Sequence, residues 1–165
     1  MMTPVKKEAG VTLDFYKEIY KRDLYDYHLS EEHSQYTSLP VNALKLCEED
    51  PSRYPIVILY NGAVAGFFVL HGWEGVQAYC DHQSAILIRG YSVKPSYQGK
   101  GIATKSLKLL TPFIKQHFPD KNEIILAVNH NNVIAQHVYK KSGFIDKGKR
   151  VLGRKGELYI FHKDL

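Results

Sequence analysis

Two cysteines in 165 residues, Cys47 and Cys80, are too few for a disulfide framework. They are also too few for a structural zinc site. Cys80-Asp81-His82 brings together one thiol and one imidazole, short of the four ligands zinc takes, and no metal is expected. No apolar stretch approaches the roughly 20 residues of a transmembrane helix, so no membrane partner is expected. The segment Met1-Met2-Thr3-Pro4-Val5-Lys6-Lys7 lacks the apolar core of a secretory leader. The expected setting is therefore cytoplasmic, with both thiols reduced. Internal repeats, low-complexity tracts and Pro- or Gly-rich linkers are absent too, which points to one domain over residues 1–165.

Hydrophobic residues make up 44% of the chain and aromatic residues 12%, with 12 tyrosines, a globular rather than a disordered composition. The formal charge is +5. Such a balance suits a nucleic acid, a membrane phosphate or a phosphorylated small molecule, or else a solvated basic surface. The basic residues are densest at Lys140-Lys141 and between Lys147 and Lys155, without a polybasic tail. No recognised nucleic-acid motif occurs, and no nucleic-acid partner is expected.

Along the chain, Leu13, Tyr16, Ile19 and Tyr20 suggest a helix over 12–21, capped by Thr12. A polar and aromatic stretch, Asp23 to Leu39, reads as a loop or broken helix. Pro40 opens a short helix through Val41, Leu44 and Cys47. Strands follow over 54–60 and 63–71, joined by Asn61-Gly62, a strong two-residue hairpin signal. After a loop over 72–83 come a strand over 85–93, a helix over 101–117 that Pro112 should kink or shorten, and a strand over 123–128. A helix over 132–141 is closed by Gly143, and short strands are expected over 144–146 and 158–162. Hairpins followed by strand–helix–strand crossovers predict a mixed α/β sheet with helices on its faces.

The segment Val93-Lys94-Pro95-Ser96-Tyr97-Gln98-Gly99-Lys100-Gly101-Ile102-Ala103-Thr104 carries the most chemistry. A strand ends, a glycine-rich turn follows, and a helix starts. Backbone N–H groups at a helix start have no intrahelical partner, and with the helix dipole they form an anion site. Gly99 and Gly101 allow a tight bend and close approach of phosphate oxygens. The spacing fits neither Gly-x4-Gly-Lys-Ser/Thr nor Gly-x-Gly-x-x-Gly, so nucleotide-kinase and dinucleotide loops are excluded.

This segment resembles the signature of the GNAT superfamily of acyl-CoA-dependent N-acetyltransferases, Gln/Arg-x-x-Gly-x-Gly/Ala after a strand ending Val-x-Pro. Here it is Gln98-Gly99-Lys100-Gly101-Ile102-Ala103 after Val93-Lys94-Pro95. A second family pattern follows: Asn132-Val133-Ile134-Ala135, then Tyr139, then Gly143-Phe144. The resemblance covers the chain from roughly Val5 onward. It implies an α/β (α+β) fold with a mixed central sheet of about six to seven strands, splayed in the middle, with helices on both faces. Coenzyme A would lie between the strands over 85–93 and 123–128. The resemblance implies diphosphate binding by Gln98, Gly99, Lys100, Gly101, Ile102 and Ala103, with Thr104 nearby, and pantetheine pairing around Tyr91, Ser92 and Val93. It implies contact of Asn132 with the cofactor, and places Tyr139 toward the thioester sulfur.

The implied reaction is transfer of an acetyl group from acetyl-CoA to a primary amine, by direct attack in a ternary complex. A non-catalytic acyl-CoA-binding regulatory module is the alternative, and a homodimer is compatible with both. Aminolysis of a thioester develops an oxyanion that a fixed N–H stabilises. The leaving thiol, with a pKa near that of cysteine, about 8.5, needs only assistance from a tyrosine near 10. Many relatives carry a glutamate on the strand before the loop. Arg89 stands there and cannot act as a base. Candidate bases are His71, Glu74, Asp81 and His82 in the flanking loop, and His28, Glu31, Glu32 and His33 nearer the start, with a water relay or an acceptor of low pKa as equal alternatives. Trp73 and Tyr79 either wall an acceptor site or anchor their loop. Ser34-Gln35-Tyr36-Thr37-Ser38-Leu39-Pro40 resembles bacterial spermidine/spermine acetyltransferases, which together with the early carboxylates implies a polyamine or other small amine as acceptor, with a protein lysine or N-terminus, or an aminoglycoside, also open.

Overall fold

A computed structural model describes residues 9–165 of the chain. Among these residues, seven strands form one mixed sheet in the order β1-β2-β3-β4-β5-β7-β6. They are β1 (Val11–Phe15), β2 (Arg53–Tyr60), β3 (Ala63–His71), β4 (Ala85–Val93), β5 (Glu123–Asn129), β6 (Ile145–Gly153) and β7 (Gly156–Asp164). The helices are α1 (Lys21–Tyr25), α2 (Glu31–Ser34), α3 (Pro40–Glu49), α4 (Trp73–Val76), α5 (Ile102–His117) and α6 (Val133–Lys141). No helix among the described residues is long and apolar enough to cross a membrane.

The central strands β2, β3 and β4 are apolar on both faces, because helices cover both. On one side α5 and α6 close a core containing Ile58, Phe68, Ile88, Leu107, Leu110, Ile124 and Phe161. On the other, α1 and α3 cover Val57, Val64, Phe67 and Val69 with Leu24, Tyr27 and Ala43. Asn61 and Gly62 both take positive φ, 49° and 87°, as a primed two-residue turn requires, and they pin the β2–β3 register.

Two features of β4 create the working part of the fold. First, β4 and β5 run parallel but pair only at Ala85–Leu87 against Glu123–Ile125. Beyond that point the strands diverge, leaving the facing edges of Ile88–Val93 and Leu126–Asn129 open. The expected splay is present. Second, the β3–β4 register shifts between Phe67 and Val69, with Gly90 at φ +63°. This bulge sets two β4 residues against one of β3. It keeps Ile88 and Tyr91 on the α5 side, while Arg89 and Ser92 face the α1–α3 side.

The expected helix over 12–21 is instead β1, a 3-10 turn (Glu18–Tyr20) and α1. Val11 and Leu13 alternate inward against α5 as an edge strand, and Ile19, counted on the helical face, is 76% exposed. The stretch 23–39 holds parts of α1 and α2, and the loop 72–83 contains α4. Pro112 does not shorten α5, which runs to His117. The carbonyl it leaves without a partner belongs to exposed Lys108, where water can serve. The final strands are far longer than expected. They form a nine-residue hairpin pair, in which β6 is largely solvent-facing and therefore carries no clean apolar signal.

Candidate active site

The open edges of β4 and β5 wall a cleft of about 560 Å³. Its floor is built from Ile88, Tyr91, Leu126 and Val128, one end from the turn before α5, and its sides from α6 and the α2 region. Of the residues singled out in the sequence, Tyr91, Ser92, Val93, Gln98, Gly99, Gly101, Ile102, Ala103, Thr104, Asn132 and Tyr139 all line it. Lys100 does not. It is exposed on the outer side of the turn.

The turn has the conformation its glycines suggested. After a 3-10 turn (Pro95–Tyr97), Gly99 and Gly101 adopt φ of +79° and +74°, and Gly101 is the N-cap of α5 without any side-chain cap. The Gln98 N–H donates to Pro95 O (3.2 Å), so it is engaged. From Gly99 to Thr104 no backbone N–H donates to a partner among the described residues. A Cβ at Gly99 would meet nothing within 4 Å, so its φ rather than a close neighbour calls for glycine there. Unpaired donors backed by the dipole of a 16-residue helix form a site for an anion with several oxygens.

The β4 edge continues this surface. Lys94 N–H donates to Ala65 O (2.8 Å). Antiparallel alternation then pairs Ser92 with Phe67 and turns the Val93 amide and carbonyl to the open side. The Gln98 side chain donates to Val93 O (3.2 Å) and lies 3.1 Å from His33 Nδ1. The Ser92 hydroxyl is committed to Tyr27 on the opposite face (2.9 Å), so only the Ser92 backbone borders the cleft. Asn132 caps α6 by accepting from Ala135 N–H (3.3 Å) through its carbonyl oxygen, which leaves its NH2 group for the cleft.

Tyr91 and Tyr139 meet edge to face, with centroids 6.1 Å apart. The Tyr91 hydroxyl is tied to Ala103 O and Ser106. The Tyr139 hydroxyl has no hydrogen-bond partner among the described residues, although burial pushes its pKa up. It is a protonated phenol on a cleft wall, free to donate to whatever enters.

The candidate bases are scattered rather than gathered at the cleft. Of the candidate bases, only Glu32 and His33 reach the cleft. Asp81 and His82 are exposed near the start of β4, and His82 approaches Glu123 (3.4 Å). Glu74 is exposed on α4, and His28 and Glu31 are exposed near α2. Trp73 and Tyr79 pack with Val76, Leu87 and Ile125 and anchor their loop. Arg89 lines the cleft, and behind it His71 is 3% exposed. The sequence offered no pairing signal for His71, since it meets its partners across the sheet.

A family model for the acetyltransferase (GNAT) family matches residues 14–144. The chain belongs to the GNAT acetyltransferase family. Its relatives within that family include an uncharacterized N-acetyltransferase, YbbJ, of Bacillus subtilis (strain 168). It is 40% identical over 153 residues, covering 92% of this chain and 96% of YbbJ. A spermine/spermidine N(1)-acetyltransferase of the same strain is 26% identical over 128 residues, covering 75% of this chain and 80% of the relative. Among solved structures, the aminoglycoside acetyltransferase AAC(6')-Ib in complex with paromomycin and acetyl-CoA superposes with a TM-score of 0.75 at 19% identity. That match covers 94% of this chain and 93% of the other. The splayed seven-stranded sheet is thus the GNAT fold, and the cleft lies in its opening.

Proposed function

We propose that this GNAT protein transfers the acetyl group of acetyl-CoA to a primary amine by direct attack within the cleft. One observation carries the reading: a run of amides without partners among the described residues, Gly99 to Thr104, borders the same cleft as the Tyr139 phenol, which also has no partner among them. The first suits a diphosphate and the second a leaving thiolate. Each N–H donated to a charged oxygen contributes roughly 1.5–3 kcal/mol, so a few such bonds anchor the nucleotide end of coenzyme A. The NH2 group of Asn132 adds a donor beside them.

Pantetheine then runs along the open β4 edge. Its amides pair with Val93, and the Gln98 side chain releases Val93 O to make room. The acetyl carbonyl lies against the β4 bulge, where an N–H stabilises the oxyanion as it forms. Tyr139 gives its proton to the departing sulfur. The amine enters from the α2 side, where Glu32 can meet an ammonium. At a lysine-like pKa of about 10.4, only about one amine in 2500 is free base at pH 7. Glu32, His33 or water held between them takes the proton. The 26%-identical spermine/spermidine acetyltransferase supports a small-molecule amine over a protein amine.

The test is free-thiol release from acetyl-CoA across an amine panel, with wild type and Tyr139→Phe. Amine-dependent release is expected, and kcat should fall about 10²-fold in the variant. Binding of coenzyme A without release for any amine would favour a regulatory module instead.

A further inference from the structure

Arg89 is a half-buried cation that pairs with no anion among the described residues. It sits on β4 beside the bulge, on the acceptor face of the sheet, and lines the cleft. It forms no ion pair with any carboxylate among the described residues. Its one side-chain hydrogen bond among the described residues runs from Nη1 to His71 Nδ1 (3.1 Å). Arginine cannot donate its charge away, so His71 must be the acceptor here and carry its proton on Nε2. That proton is donated to Asp50 Oδ2 (3.2 Å). Asp50 is itself fixed by the Ser52 N–H (2.9 Å) and by Arg53 (3.3 Å). A carboxylate, a neutral imidazole and a guanidinium thus form a line from the end of α3 through β3 to the cleft.

The line fixes one corner of the guanidinium. Arginine offers five N–H donors. With Nη1 engaged toward His71, the Nε–Nη2 edge has no partner among the described residues. That edge is the fork that takes a carboxylate through two parallel bonds. A cation that has lost part of its hydration gains from an anion supplied by a ligand. Glu32, which suits an ammonium, lines the same cleft.

We propose that the acceptor is a small amine that also carries a carboxylate, and that Arg89 binds this carboxylate while Asp50 and His71 hold the guanidinium in place. The inference rests on the acetyl-transfer reading only in taking the α2 side of the cleft as the acceptor end. It narrows the acceptor away from plain polyamines, whose second ammonium would face Arg89. The fixed cation also opposes a charged amine nearby and so favours the free base that must attack.

Binding of product-like acids tests this without turnover. N-acetylglycine, N-acetyl-γ-aminobutyrate and N-acetyllysine, each with its carboxamide, would be titrated calorimetrically into the CoA-loaded protein, alongside spermidine. At least one acid should bind ten-fold or more tighter than its amide. Arg89→Gln should abolish that preference, and Arg89→Lys should restore part of it. Affinity for coenzyme A should be the same in all three proteins. No preference for any acid, tighter binding of spermidine than of every acid, or a preference that survives Arg89→Gln would overturn the proposal. So would a loss of CoA affinity in Arg89→Gln, which would assign the guanidinium to the donor. Failure of acetyl transfer is read separately, from thiol release.

Discussion

Tyr139 has a proposed chemical role that its packing leaves separable from its structural one. Its ring packs against Tyr91 and Phe144, while its hydroxyl makes no hydrogen bond among the described residues. Tyr139→Phe should therefore leave stability within about 0.5 kcal/mol, as for a substitution that removes no buried partner. The loss in kcat proposed above would then be chemistry rather than misfolding, and urea titration beside kinetics checks it. His71 makes the opposite case, a titratable group whose folded environment opposes its charge. Desolvation first, then Arg53 and Arg89, hold its pKa below 6.5 despite Asp50. The unfolded chain then binds more protons at this site, so stability is full above about pH 6.5 and declines as pH falls toward the folded-state value. Urea midpoints between pH 7.5 and 5 should show this slope, and His71→Gln should flatten it.

The turn before α5 and the bulge in β4 are the elements that make the cleft, and glycine is required in both places. A Cβ at Gly101 would stand clear of backbone, 3.7 Å from the Lys105 side chain, but φ is +74°. The penalty of a branched residue there is conformational, roughly 1–2 kcal/mol. Relaxation to negative φ would also turn the amides away. Gly101→Val should lose coenzyme A affinity by ten-fold or more in calorimetry while remaining folded. Gly66, by contrast, is a packing glycine. Its Cβ would sit 2.7 Å from Ser92 O and 2.8 Å from Ile58 Cδ1, so Gly66→Ala forces β3 from β4. A loss of about 1–3 kcal/mol in urea unfolding is expected. The same elements show what the sequence could carry. The Asn61-Gly62 hairpin, β3, β4 and the glycine turn were legible because local backbone demands fix them. The strand β1 was not, since five residues between helix-compatible neighbours become a strand only by pairing with β2. Nor was β6, whose exposed residues hold their register through β7. The Asp50–His71–Arg89 line was hidden for the same reason, as its members lie on three separate elements.

At the scale of the molecule, the cleft exists because the sheet opens between β4 and β5, and contacts from distant parts of the chain bound the opening. Lys155, in the β6–β7 turn, donates to Gln35 O beside α2 (2.7 Å), and His33 reaches Gln98 at the glycine turn before α5. The α2 side of the cleft is thereby linked to both halves of the sheet. The most direct test of the account is a crystal structure grown with acetyl-CoA. The diphosphate should lie within about 3 Å of amides between Gly99 and Thr104, with the thioester sulfur facing the Tyr139 hydroxyl. Diphosphate bound elsewhere, with those amides still unpaired, would contradict it.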